Sequence, residues 1–280
     1  MAGLPSQAGP RASGLRGLVF VSEKKKAVAV LAIAAAFSCL GSEEATAGAW
    51  PLERGKTQAI AKYERTTADE GFSTDGASIT IGHRRDETLW IFVEHGLAPR
   101  LTLQGKAGVT RGEDPWVDYS GRGPIELGLR WTARRTDRSA LAIYIGAGEA
   151  GAGRNAGYAA PGEGSLDLEA RVLYGRSGVW RGRKVYVDLQ AARLKRRGLA
   201  DETRFDATLG VKPADHWELL AQTYAGQADH GATSARWLKT ELSVVRAFGD
   251  WSAQVGWRDT ISGRETARDR GVVLAVWRRL

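Results

Sequence analysis

From Lys56 onward the chain repeats short stretches in which apolar and polar residues alternate strictly, about every twenty residues and in adjoining pairs. The clearest sets Ile125, Leu127, Leu129 and Trp131 against Glu126, Gly128, Arg130 and Thr132. Another sets Leu166, Leu168, Ala170, Val172 and Tyr174 against Asp167, Glu169 and Arg171. Segments around Leu101 to Val109, Val185 to Gln190 and Arg204 to Val211 repeat the pattern, and no window carries a sustained helical stripe. Successive side chains of a strand point to opposite faces, so each segment has one apolar face and one face that repeatedly carries charge. Each is about the ten residues that a tilted strand needs to cross a bilayer.

The connections alternate in length. Short ones fall at Gly96 to Pro99, Arg135 to Arg138, Lys212 to Asp215 and Gly249 to Asp250, with a somewhat longer turn at Arg176 to Arg183. Long, Gly-rich, charged ones fall at Thr66 to Gly76, Arg111 to Gly123, Glu149 to Gly164, Lys195 to Glu202, Gln227 to Ala235 and Ser262 to Asp269. Short turns on one rim and long loops on the other predict an all-β chain, a transmembrane antiparallel β-barrel of about twelve strands, with both ends of the wall on the short-turn side. The second strand is the least regular: Ala77 to His95 reads either as one long strand or as an outer piece followed by a crossing segment. Trp131, Tyr174, Trp217 and Trp251 share the apolar parity of their strands and fall at the short-turn end, where an aromatic girdle at the lipid–water border is expected. A soluble β-sandwich or lipocalin-like barrel would alternate too, with the apolar face turned inward.

The region before the strands changes the picture. Lys24, Lys25 and Lys26 precede an apolar run from Ala27 to Leu40 and then small residues through Ala49. A charged end, a short apolar middle and a small-residue cleavage site are the layout of a secretion signal, and the run is too short to span a membrane. Residues 1–49 are therefore read as a leader and 50–280 as the barrel, with cleavage after Ala47 or Ala49 and Val21 as the true start. Export to the outer membrane follows, with outer-membrane lipid and the barrel-assembly machinery as the expected partners. The formal charge of +8 falls once the leader is removed, and the remaining Lys and Arg are spread too evenly for nucleic acid. The one cysteine, Cys39, lies in the leader, which leaves no disulfide or cysteine-bound metal in the barrel.

Two stretches carry a family likeness. Ala49-Trp50-Pro51-Leu52-Glu53-Arg54-Gly55 resembles the start of mature proteobacterial barrels, and Glu94-His95-Gly96-Leu97-Ala98-Pro99-Arg100-Leu101-Thr102-Leu103 resembles a hairpin of barrels similar to the phenol-degradation meta-pathway family. In this chain His95 replaces a tyrosine, and Ala98-Pro99 replaces Thr-Asp in the turn. The resemblance implies a barrel and a route for small hydrophobic or aromatic compounds. The chain ends on Leu280, where barrel-assembly signals usually close on an aromatic.

Nothing in the sequence announces catalysis, and no cofactor or enzymatic activity is expected. Gly146, Gly148 and Gly151 match G-x-G-x-x-G, but Gly153, Gly157 and Pro161 follow in place of a phosphate-binding helix. His83, His95, His216 and His230 show no metal-ligand spacing; His216 and His230 read as solvated turn or rim positions. Asp114-Pro115-Trp116-Val117-Asp118-Tyr119 reads either as a loop over the barrel top or as a ligand receiver at the outer mouth. The candidate lumen-lining residues are Lys106, Glu126, Arg130, Glu169, Arg171, Asp188, Arg204, Asp206, Glu218, Lys239, Glu241 and Arg258, joined on the same face by Lys62, Glu64, Glu94 and Asp167. If these charges pair across strands they narrow the lumen; if they stay hydrated they line a pore that selects by polarity. Three functions stay open: a channel for small solutes, a non-transport barrel serving as scaffold, adhesin or export partner, and an outer-membrane lipid-modifying enzyme.

Overall fold

A computed structural model describes residues 48–229 and 234–280. The proposed leader up to Ala47, and His230, lie outside the described residues. In chain order the strands are β1 (Thr57–Phe72), β2 (Ser78–Ala98), β3 (Leu101–Glu113), β4 (Asp118–Arg122), β5 (Ile125–Arg135), β6 (Ser139–Glu149) and β7 (Leu166–Trp180). They continue with β8 (Arg183–Arg196), β9 (Glu202–Ala214), β10 (Trp217–Ala228), β11 (Ala235–Phe248), β12 (Trp251–Arg264), β13 (Thr266–Ala267) and β14 (Arg270–Arg279). All but the short rim pieces β4 and β13 form one closed antiparallel wall of 12 strands. Closure is made by β1, which runs beside β2 from Thr57↔His95 to Phe72↔Ser78 and beside β14 from Gln58↔Arg279 to Thr67↔Arg270.

Burial settles which face points where. The largest fully buried side chains include Arg130, Glu202 and Glu241, while Leu127 (59% exposed), Ile145 (67%), Leu242 (66%) and Val255 (59%) face outward. In water such a wall would leave a broad apolar surface uncovered. In a bilayer the same surface meets hydrocarbon, the backbone groups are satisfied around a ring without edges, and the charges sit inside. The chain is thus an outer-membrane-type β-barrel. Trp131, Tyr174, Trp217 and Trp251 are all partly exposed on the outer face at the short-turn end.

The connections differ most from the sequence reading in four places. The turn expected over Arg176 to Arg183 shrinks to Arg181 and Gly182, both at positive φ, because β7 and β8 stay paired up to Trp180↔Arg183. The expected loop at Thr66 to Gly76 is mostly strand, since β1 and β2 pair past the level of their neighbours to Phe72↔Ser78; β2 is one continuous strand. Arg111 to Gly123 contains the end of β3 and all of β4. Ser262 to Asp269 contains the end of β12 and the two residues of β13, which pair with Gly71 and Phe72. In each case continued strand pairing satisfies backbone groups that an irregular loop would leave to water.

Candidate functional site: the barrel lumen

The lumen is built in three levels. At the outer mouth the connection from β6 to β7 folds inward. Asn155 holds it together, accepting from the Gly151 N–H (2.9 Å) and donating to the carbonyls of Gly151 (2.8 Å) and Glu163 (2.7 Å). Arg154 reaches Asp114 and, at 3.4 Å, Asp86. On the other side Arg196 donates to the Asn155 carbonyl (3.1 Å) while pairing with Asp167 (2.8 Å) and Glu202 (2.5 Å). Arg84 donates to the Gly157 carbonyl (3.4 Å) and pairs with Asp269 (2.8 Å), which also takes Lys239 (3.1 Å). The loop is therefore tied to several sides of the mouth. Burial acts to raise the pKa of Asp114, but the N–H groups of Trp116 and Val117 and the Arg154 guanidinium outweigh it and hold the carboxyl below its ordinary range.

Below this lies a chamber of about 680 Å3. On one wall Arg258 joins Glu241 (2.6 Å) and Glu64 (3.1 Å), and Lys62 bridges the same two carboxylates, Glu241 at 3.3 Å and Glu64 at 3.0 Å. Opposite, Arg171 pairs with Glu169 and donates to Gln190 (2.7 Å), and Arg204 pairs with Glu202 (2.5 Å). Three cations sit over aromatic rings: Lys106 on Trp90 (4.3 Å), Arg258 on Tyr224 (4.8 Å) and Arg171 on Tyr144 (5.5 Å). Of the twelve candidate residues, Lys106, Glu126, Arg130, Arg171, Arg204, Asp206, Lys239 and Arg258 line this chamber. Glu241 lies behind Arg258, and Glu169 lines a smaller recess of about 200 Å3 toward the outer mouth. Asp188 lies deeper, beneath Gln190, and Glu218 accepts from the Tyr186 hydroxyl (2.5 Å) beside a recess at the short-turn rim.

The third level was not legible as a site. Gly48 to Leu52 runs inside the barrel at the short-turn end. Arg130 donates to the Trp50 carbonyl (2.9 Å) and to Glu94 (2.5 Å), Thr132 donates to the Ala49 carbonyl (3.2 Å), and the Leu52 N–H donates to the Thr102 hydroxyl (3.3 Å). The Trp50 indole packs between two buried apolar groups, one of Ala140, Ala142 and Leu173 and the other of Tyr186, Leu220 and Val245. It fills the space over Gly175, where a Cβ would come within 2.0 Å of the ring. A sequence signal for this floor exists. Alternation breaks into adjacent apolar residues at Val172-Leu173, Leu219-Leu220 and Val244-Val245, whose inward members Leu173, Leu220 and Val245 belong to the groups that hold Trp50.

The remaining sequence candidates are scattered. His83 lies 2.7 Å from Asp69 on the exposed first hairpin, His95 lies 2.9 Å from the Thr57 hydroxyl, and His216 is in a short turn. Gly146 and Gly148 are strand residues packed beside Tyr144 and the Ile125 carbonyl; Gly151 belongs to the inward loop. The Asp114 to Tyr119 loop divides: Trp116 is 84% exposed, while Asp114 and Tyr119 turn inward to Arg154 and Asp86. Among the described residues, no group of three His, Cys, Asp or Glu side chains is placed to hold a metal ion.

No family model and no curated protein matches the chain. Among solved structures it is similar to an outer-membrane channel from Pseudomonas putida F1, with a TM-score of 0.66 at 13% identity over 85% of this chain and 100% of that one. It is also similar to the translocator domain of the autotransporter NalP from Neisseria meningitidis, with a TM-score of 0.51 at 14% identity over 92% and 95%. A third likeness is to the β domain of the Bordetella autotransporter BrkA, with a TM-score of 0.50 at 12% identity over 81% and 100%. The fold that these likenesses share with the chain is that of the outer-membrane β-barrel.

Proposed function

We propose that the barrel is a non-catalytic channel that lets small polar solutes cross the outer membrane through the charged chamber, past a narrow passage at each end. The observation that carries this reading is the chamber itself, a space of about 680 Å3 lined by 11 ionic side chains among aromatic and apolar ones, in a wall only one strand thick. The fold likeness to a protein described as an outer-membrane channel supports it. Seven Lys and Arg side chains line the chamber against four carboxylates, so the proposed pore favours anions modestly. The cation–aromatic pairs offer flat apolar surface beside positive charge, which suits small carboxylates that carry a ring. The test is conductance of the barrel, extracted from outer membranes, in a planar bilayer under a salt gradient. Discrete openings with a reversal potential on the anion side are expected.

One observation favours a second reading. The inward loop and the Trp50 segment occupy both ends, and most lumen charges are already paired. A folded barrel that never conducts would make the lumen a rigid filling and the protein a scaffold or an export partner.

A further inference from the structure

The outer wall carries an ionic cluster that the lumen does not use. Arg65, Glu87 and Arg111 are register partners on β1, β2 and β3 and face outward, away from the chamber. Glu87 is only 5% exposed. It takes Arg111 at 2.7 Å, Arg85 at 3.2 Å, Arg65 at 3.6 Å and the Tyr63 hydroxyl at 3.0 Å. The Arg111 and Arg65 side chains stay 67% and 50% exposed, and among the described residues Glu87 is the carboxylate that pairs with both. Arg85 is shared with Glu113 at 3.5 Å. The row itself therefore holds two guanidiniums over one carboxylate, with donor edges left facing outward.

Its height is set by the strand. Leu101, paired with Trp131 of the aromatic girdle, lies ten residues before Arg111 on β3. At about 3.4 Å per residue and a tilt of about 40°, that is a rise of roughly 26 Å, close to the height of the apolar band. The arginine row thus stands at the outer lipid–water border. The row beneath it is Tyr63, Leu89 and Val109, with Leu89 44% and Val109 57% exposed. A planar guanidinium binds phosphate through two parallel N–H groups, and a carboxylate beneath two arginines holds them in place for it.

We infer that Arg65 and Arg111, held by Glu87, bind the phosphate of a phosphorylated glycolipid of the outer leaflet, while Leu89 and Val109 meet its acyl chains. The wild-type barrel, extracted in detergent, is titrated with bisphosphorylated lipid A and with the same lipid stripped of phosphate, and binding is read by native mass spectrometry. The phosphorylated form is expected to bind at least tenfold more tightly, since charge-assisted hydrogen bonds to its phosphates are at stake. An Arg65→Gln/Arg111→Gln variant that still shows a boiling-dependent gel shift is expected to lose that preference. Arg246→Gln, outward on β11 at the opposite rim, is expected to keep it. Equal binding of the two lipids to the wild type, which needs no variant, overturns the proposal. A folded double variant with wild-type preference overturns it too, as does displacement of the lipid by an equal concentration of inorganic phosphate, which would mark a site for the free anion.

Discussion

Trp50 lies with its indole over Gly175, and the two residues explain each other. Gly175 faces inward and leaves room for a ring, and a ring from the preceding segment fills it. Trp50→Ala removes the largest side chain of the floor while leaving the backbone bonds from Arg130 and Thr132 in place, so single-channel conductance is expected to rise severalfold with the barrel still folded. Ala49 is fully buried and its carbonyl is bonded to Thr132, which separates the two cleavage positions. Cleavage after Ala47 keeps Gly48 and Ala49 in the floor; N-terminal sequencing of protein from the outer membrane is expected to begin at Gly48. A mature start at Trp50 would remove that contact. The twelve candidate lumen charges could be read from alternation because each sits at an inward parity. Trp50 could not, because it precedes any alternating stretch and its partners come from five distant strands.

Hairpin chemistry decides the shape of single elements. Arg181 adopts φ 49° and Gly182 φ 74° in the two-residue turn between β7 and β8, a geometry that favours Asn-Gly. Arg181→Asn is expected to stabilise the barrel by about 0.5–1 kcal/mol in a urea unfolding titration, because asparagine tolerates the left-handed region at lower cost. The inward loop is held partly by Arg154 on Asp114, whose pKa is depressed. A depressed carboxyl contributes stability that is present above its unfolded-state pKa and lost as pH falls through the folded value. The conductance step that marks release of this tie is therefore expected only in acid stronger than the ordinary carboxylate range, and Asp114→Asn should abolish that step. The outer loops were the elements least legible in the sequence. Strand pairing beyond the bilayer depends on a neighbour being there to pair with, as β13 finds Gly71 and Phe72.

At the scale of the molecule, the wall closes only when β1 meets β14 over ten register pairs. A ring of backbone bonds has no free edge from which to unravel, and it breaks cooperatively. Protein from the outer-membrane fraction is expected to change its gel mobility on boiling in detergent, and a change that removes β14 should abolish that behaviour. The lumen network spans sequence distances that only closure brings within reach: Arg258 to Glu64 and Lys62 to Glu241 tie the last strands to the first.

The sequence by itself determined the strand architecture, which face of each strand is apolar, the placing of Trp131, Tyr174, Trp217 and Trp251 on that face, and the placing of the twelve candidate charges on the other. All of these follow from side-chain period and turn spacing, which are local. Only the tertiary structure decided which charges neutralise one another, that the β6 to β7 connection turns into the mouth, and that Gly48 to Leu52 forms the floor. These depend on the order in which strands meet around the ring and on how much space the inward side chains leave between them, and neither quantity is written in any one segment of the chain.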